Sequence, residues 1–479
     1  MAYRYGDRNQ CTMFPKSIEE YVTTDDPVRV YDAFVEALKL GELGIVWEED
    51  NVGNSSYDPR SMLKLLVYGY SYGIRSSRKL ERALYHNVSF IWLVGGLTPD
   101  HKTIARFRKE NRPALKNILK QCARLCIKLK LIDGNTLFVD GSKIRANASI
   151  NNTWTEERCV KSLARIDARI EEILRECETV DNQEQDSPSP VQLTEELTNK
   201  EKLKAKIQRV LNELQASGAG SINSTDRDCV KVKGRQGTHA GYNGQIVVDE
   251  KHGLIVHSDV VSQSNDYNQF TSQIEQANQT LDKPCETACA DAGYADVDDL
   301  KKIDDQGITV VVPAQEQAHN RTAGPFDKEH FTYNAVQDCY RCPTGQVLPY
   351  AFYDADKNHR VYQIADKTLC RSCPHYGVCT TANSGRRIRR LANEETKEKL
   401  RRQYQEKPSQ DIYRLRKQKV ELPFGHIKRN LGVAAFLLRG IEGVGAEMSL
   451  FCSCFNIARM IGIFGVPTLL ANIGCQASG

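Results

Sequence analysis

Leu137-Phe138-Val139-Asp140-Gly141-Ser142 is a short apolar run that ends in a carboxylate and is followed by Lys143 and Arg145. An Asp directly after Leu-Phe-Val has no evident cap or pairing role. The pattern predicts a buried strand that presents Asp140 at its end, just before the backbone turns, as a rigidly held metal ligand. Thr287 to Tyr294 repeats the pattern, a small-residue strand ending in Asp291. Tyr413 to Lys428 is a basic, helical stretch in which Glu421 is the only acid. Phosphodiester exchange needs an activated oxygen nucleophile and a stabilised leaving oxygen. Two Mg²⁺ ions roughly 3.5 to 4 Å apart supply both when hard oxygen ligands hold them. Asp140, Asp291 and Glu421 suit that role.

Other acids have structural explanations. Asp249 reads as a hairpin turn residue, Asp266 as a helix cap and Asp296 as the start of a helix. Around Glu421, Tyr413, Lys417 and Lys428 fall on one face at about 100° per residue, with Arg416 flanking them. Such a face offers one metal ligand among phosphate-binding donors; an ordinary basic amphipathic helix has the same spacing. Pro423 is expected to kink or interrupt the helix just beyond Glu421.

A second constellation is Cys339-x2-Cys342 and, after a 27-residue gap, Cys370-x2-Cys373-x5-Cys379. Two Cys-x-x-Cys knuckles around a strand-rich segment, Tyr350 to Ile364, predict a zinc ribbon. Four positions for five thiols leave one spare, taken as Cys339, so the Zn²⁺ ligands are Cys342, Cys370, Cys373 and Cys379. A redox pair is the alternative.

These groups sit in a chain of 479 residues with a formal net charge of +4, long enough for two to four structural units. The net charge says little, but basic residues outnumber acids from Arg386 to Arg439, as suits a surface that follows a phosphate backbone. Met1 to Asp7 shows no apolar signal segment, so the 16 cysteines are expected in a reducing compartment, the cytoplasm. Met448 to Leu470 is apolar but interrupted by Asn456, Arg459 and Pro467, and reads as a buried terminal helix, with no membrane partner.

In chain order, Asp26-Pro27 and Asp58-Pro59 mark helix starts in an amino-terminal helical domain, residues 1–132. Ser77 to Tyr85 and the basic Asp100 to Asn111 form either a helix-turn-helix-like module for DNA ends or part of a plain bundle. The Asp140 strand opens a core at 133–150. Two apolar stripes follow, Leu163, Ile166, Ile170 and Leu174, then Leu203, Ile207, Leu211 and Leu214. With the turn Asp181 to Pro190 they predict an inserted antiparallel helical hairpin over 151–225, either structural or used for dimerisation or DNA contact. The core resumes over 226–320 with a hairpin, Tyr242 to Val248 and Leu254 to Val261, a helix, the Asp291 strand, another helix and a strand at Ile308 to Pro313. Residues 321–392 hold the zinc ribbon and 393–479 the last helices. The order is that of an α/β, ribonuclease-H-like catalytic core, which predicts Asp140 beside Asp291.

At these residues the sequence resembles bacterial insertion-sequence transposases of the DDE class, most closely the family numbered 1182. The resemblance rests on Tyr57-Asp58-Pro59, Pro99-Asp100-His101, Val139-Asp140-Gly141, Gly241-Tyr242-Asn243, Ala290-Asp291-Ala292-Gly293-Tyr294, the cysteine insertion and Val420-Glu421-x-Pro423-Phe424-Gly425. A related group carries Tyr-x2-Arg-x3-Glu-x6-Lys. Here Glu421 to Lys428 keeps its spacing, while Tyr413-x2-Arg416 is followed by four residues before Glu421. The resemblance implies an enzyme that binds terminal inverted repeats, cuts the ends and joins 3′ hydroxyls to target DNA, as a homodimer on double-stranded DNA. The alternatives are a silent DNA-binding descendant, and a metal-dependent nuclease without strand transfer. Inverted repeats around the gene favour the first reading over the silent one.

Overall fold

The computed structural model describes residues 17–45, 57–181, 190–234, 237–318, 324–355 and 358–477. The amino-terminal heptapeptide and most of the turn expected at Asp181 to Pro190 lie outside these residues. The chain divides into two compact units: Met1–Asp266 with Glu275–Pro284 and Gln418–Gly479, and Tyr267–Ile274 with Cys285–Lys417.

The first unit is built on an antiparallel sheet. Strand β1, Thr136–Arg145, precedes β2, Val230–Gly234, β3, Gly237–Asp249, and β4, Ile255–Val261. The 13-residue β3 organises the others: one edge takes β1, and the other takes β2 along its first half and β4 along its second. Leu137, Phe138 and Val139 are fully buried. Asp140, however, does not end the strand. Gly241 to Gln245 of β3 continue to offer backbone partners as far as Arg145, so Asp140 lies mid-strand opposite Ile246.

The helices of this unit begin as their caps dictate. Asp58 accepts hydrogen bonds from the backbone N–H groups of Arg60 and Ser61, with Pro59 opening helix Pro59–Ser71. Arg108, one of the basic residues of the Asp100 to Asn111 helix, is 6% exposed and donates to the Arg75 carbonyl at 2.8 Å. Helices Glu156–Asp181 and Pro190–Ser217 pack through Cys159, Ile166, Ile207, Val210, Leu211 and Leu214, flanked by an Arg169–Glu196 ion pair. Leu174 and Leu203, assigned to the apolar stripes, are exposed, and Ile173 is buried instead. A 3.6-residue helix drifts off a seven-residue repeat over this length.

The apolar carboxy-terminal stretch is two helices, Ile441–Phe464 and Val466–Ala477, broken at Gly465 with φ +73°. The first is long and apolar enough to cross a membrane by length and composition, but 67% of that stretch is buried within the protein. Asn456, fully buried on it, exchanges two hydrogen bonds with the backbone of Ile255, 2.9 and 2.8 Å, and so completes the start of β4.

On β4, burial pulls the His257 imidazole down to about 4; Asp259 opposes the shift, and Lys116 and Lys120 add to it. Its Nε2 is shut off from solvent and lacks a hydrogen-bond partner. Unfolding therefore takes up a proton below the ordinary value of 6.5. The stability His257 supports is present above pH 6.5 and is lost as pH falls toward 4, by roughly 1–3 kcal/mol. Unfolding in urea at pH 7 and pH 5 should show that loss in the wild type and a flatter profile in His257→Phe.

The second unit holds a parallel pair, β5, Thr287–Cys289, and β6, Thr309–Val311, joined through helix Val297–Asp304. Its other sheet is antiparallel: β7, Thr332–Asn334, β8, Cys339–Arg341, β9, Val347–Asp354, β10, His359–Gln363, and β11, Arg387–Leu391, in the order β11-β10-β9-β8-β7. One face of that sheet is closed by Phe331, Tyr340, Leu348, Tyr362, Ile364 and Ile388.

Candidate functional site

Side chains alternate across a strand, so Asp140 and Ser142 share one face of β1 while Gly141 and Lys143 share the other. On the first face the Lys428 ammonium bonds the Ser142 hydroxyl at 2.5 Å and lies 5.8 Å from the centre of the Phe424 ring. Asp140 is half-buried and Lys428 exposed.

Lys428 is delivered there by an irregular helix. Helix Lys407–Gly425 runs on through Pro423 and does not break as expected; it passes into a π-helical turn, His426–Asn430. The wider turn, closed by Leu431 N–H donating to the His426 carbonyl at 3.0 Å, lies downstream of the proline. Glu421 lies on this helix and is solvent-exposed.

The opposite face of β1 carries a polar cluster that sequence reasoning missed. Asp266 was expected to cap a helix, but helix Phe270–Leu281 starts four residues later. The Asp266 carboxylate instead accepts from Asn243 Nδ2 at 2.7 Å and Gln245 Nε2 at 2.8 Å and pairs with Lys143 at 3.3 Å. Asn243 and Gln245 are fully buried. A Cβ on Gly141 would sit 2.3 Å from the Asp266 carboxylate and 2.5 Å from Gln245 Nε2, so a larger residue after Asp140 would have to displace this hydrogen-bonded cluster. The available signal was Asn243-x-Gln245, two amides on one face of an otherwise apolar strand. The other two acids behave as read: Asp249 accepts from the Gly134 and Lys251 N–H groups at a turn, and Asp296 caps helix Val297–Asp304.

In the second unit Asp291 follows β5 and caps a short 3₁₀ turn, accepting from Gly293 N–H at 2.8 Å. The Arg416 guanidinium lies 3.9 Å from its other oxygen and 5.6 Å from the centre of the Tyr413 ring, which packs edge-on against Tyr404. Burial pushes the neighbouring Cys289 thiol up to about 12, Arg416 opposing and Asp291 adding, so this thiol stays protonated. Tyr413 and Arg416 thus gather around Asp291, while Lys417, on the same helix, is exposed.

Among the described residues no group of three or more His, Cys, Asp or Glu side chains is close enough to hold a metal ion as it stands. The carboxylates supply the hard oxygen chemistry that Mg²⁺ takes. Of the cysteines, Cys342, Cys370 and Cys379 pack at the edge of the aromatic cluster. Burial pushes the Cys379 thiol up, Arg386 opposes, and Cys370, Cys342 and Cys373 add to the shift. Backbone N–H groups point at two sulfurs, Gln346 at Cys342 Sγ, 3.2 Å, and Arg386 at Cys370 Sγ, 3.5 Å. Cys339 is buried on β8 beside Gln337.

A family model described as a Transposase domain (DUF772) matches residues 16–110, and one described as a Transposase DDE domain matches residues 341–461. No curated protein and no solved structure matches the chain.

Proposed function

We propose that this chain, an insertion-sequence DDE transposase by its two domain matches, binds the terminal inverted repeats of its own element, cleaves them and joins the freed 3′ hydroxyls to target DNA. The observation that carries the reading is the bond from Lys428 to Ser142, on the face of β1 that bears Asp140. A cation seven residues after Glu421 is thereby held two residues along the strand from the leading carboxylate. The gathering of Arg416 and Tyr413 at Asp291 supports it.

In this reading Asp140, Asp291 and Glu421 belong to one ribonuclease-H-like core, with the helices at 156–217 as an inserted antiparallel hairpin, and hold two Mg²⁺ ions. Such ions, when bound, activate the attacking oxygen and stabilise the leaving one. The protein's own cations do the rest. Lys417 and Lys428 neutralise phosphates flanking the scissile bond, and Arg416 orients the Asp291 carboxylate, braced by Tyr413. A dimer that brings two ends together completes the reading, with insertion-sequence family 1182 as the proposed group.

The test is cleavage of a plasmid carrying the gene's flanking DNA, with and without Mg²⁺ or Mn²⁺. Metal-dependent cuts at inverted repeats followed by joined products are expected. Cuts without joining would leave a nuclease; specific binding without cuts would leave a silent binder.

Cys342, Cys370, Cys373 and Cys379 hold a structural Zn²⁺ in the same reading, with Cys339 the spare thiol. The N–H groups aimed at Cys342 and Cys370 support it, because thiolates bound to zinc accept such bonds. Cys373→Ser should release one zinc per chain, seen by elemental analysis, and lower the melting temperature. Wild-type protein purified without zinc would end the ribbon reading.

A further inference from the structure

On the sheet β7–β11 the face opposite the aromatic cluster is mixed: Val361 and Cys339 are buried on it, while its arginines reach solvent. Cross-strand partners share a face, and the register places Arg389, Val361 and Phe352 in one row of this face, beside the pair Arg387 and Gln363. The bulge between Tyr350 and Phe352 turns Phe352 to this side, away from Tyr350, which joins the buried cluster through Tyr362. Arg341 extends the face on β8, opposite Val347. Arg341, Arg387 and Arg389 are exposed, as are Phe352 at 45% and Val347 at 40%. Asp354, at the far end, is the one acid in these strands. Arg387 is steadied by a 2.8 Å bond to Gln363.

We infer that this face binds the sugar-phosphate backbone of duplex DNA. Three exposed guanidiniums, on strands whose one acid is Asp354, form a surface complementary to a polyanion. Arg341 and the Arg387–Arg389 pair stand three strand spacings apart across the sheet, about 14 Å in that direction, with Arg341 displaced further along the strands; a spread on that scale reaches phosphates on both sides of a groove about 12 Å wide. A single exposed ring, Phe352, falls short of the stacked aromatic platforms that single strands require. The contacts carry charge and no base readout, so they hold any duplex, including target DNA of arbitrary sequence. The inference rests on the transposase reading and adds to it where the DNA lies on this unit.

The experiment compares wild type with Arg341→Ala/Arg387→Ala/Arg389→Ala for binding to a duplex of unrelated sequence, by anisotropy across a salt series. Each lost phosphate contact lowers the slope of log K against log salt by about 1. A drop of about 2 to 3, with an unchanged melting temperature, is expected. Cys373→Ser serves as a control for disturbance of the fold, because it leaves every arginine in place. Should the wild type bind and cut its own ends while the triple variant keeps the wild-type slope, the surface assignment is wrong and the transposase reading stands. Loss of dimerisation with an unaltered slope would likewise overturn it, in favour of a contact between copies. A wild type that neither binds nor cuts DNA removes both.

Discussion

Asp140→Asn is expected to abolish DNA cleavage, by about a thousandfold or more, while specific binding to the transposon ends stays within about twofold of wild type. Asn matches Asp in volume, and the site is half-buried between Val139 and Gly141 on a strand held by β3 along its whole length. The ladder therefore survives the exchange. What disappears is the negative charge that a divalent ion needs, worth several kcal/mol of charge stabilisation at the reacting phosphate, and each 1.36 kcal/mol is tenfold in rate. Asp291→Asn should act alike, because the amide oxygen still accepts the Gly293 N–H bond that shapes its turn. Glu421→Gln lies on an exposed helix face and should leave the fold untouched. Cleavage and gel-shift assays on the same labelled ends separate the two effects. Normal cutting by any one variant would strike that residue from the site.

The parts of the fold legible in the sequence are those set by local chemistry. Asp58-Pro59 starts its helix, β3 and β4 form where β-branched residues flank Asp249 to Gly253, and helix Val297–Asp304 begins after Asp296, each for reasons confined to a few residues. The misreadings involve partners far along the chain. Asp140 reads as a strand end because Gly141-Ser142 looks like a turn. It lies mid-strand because Gly241 to Gln245, a hundred residues later, extends the ladder. Arg108 belongs to a stretch that reads simply as basic, and its burial depends on the Arg75 carbonyl and the Tyr70 hydroxyl beside it. Pro423 is a helix breaker by its own chemistry, yet helix Lys407–Gly425 continues through it and turns irregular only beyond it, at His426–Asn430. Asp266 shows the limit most clearly. Its local pattern, Ser264-Asn265-Asp266, fits a cap, and only the two amides on β3 and Lys143 on β1 reveal that it braces the strand carrying Asp140.

Glu447→Ala should produce the largest loss of stability. Glu447 is completely buried on helix Ile441–Phe464. One of its oxygens accepts the N–H groups of Leu437 and Leu438 at 2.8 and 3.0 Å, and the other meets the Arg75 guanidinium at 3.2 Å. Burial raises its pKa, and those same bonds together with Arg75 hold it back. Truncation leaves two N–H groups and a largely buried cation without their acceptor, a cost of about 3–5 kcal/mol for a broken buried pair. Glu447→Gln retains an acceptor oxygen and should lose less. Its folded pKa lies above its unfolded one, so ionising Glu447 costs the folded state stability as pH rises through the folded value. The Gln variant should remove that slope. The damage should also spread in a defined direction. Arg75 donates to the Ala435 carbonyl at 2.8 Å, and Phe436 N–H donates to the Arg145 carbonyl at 2.8 Å, which ties this loop to the end of β1. Hydrogen exchange in Glu447→Ala should therefore quicken at Phe436 and along Ile144 and Arg145 before it does in β5 or β6. A variant that melts within a degree of wild type with unchanged exchange at Phe436 would show that Glu447 does not hold the loop. Quickened exchange with cleavage reduced but not abolished would mark it as support for the strand that carries Asp140.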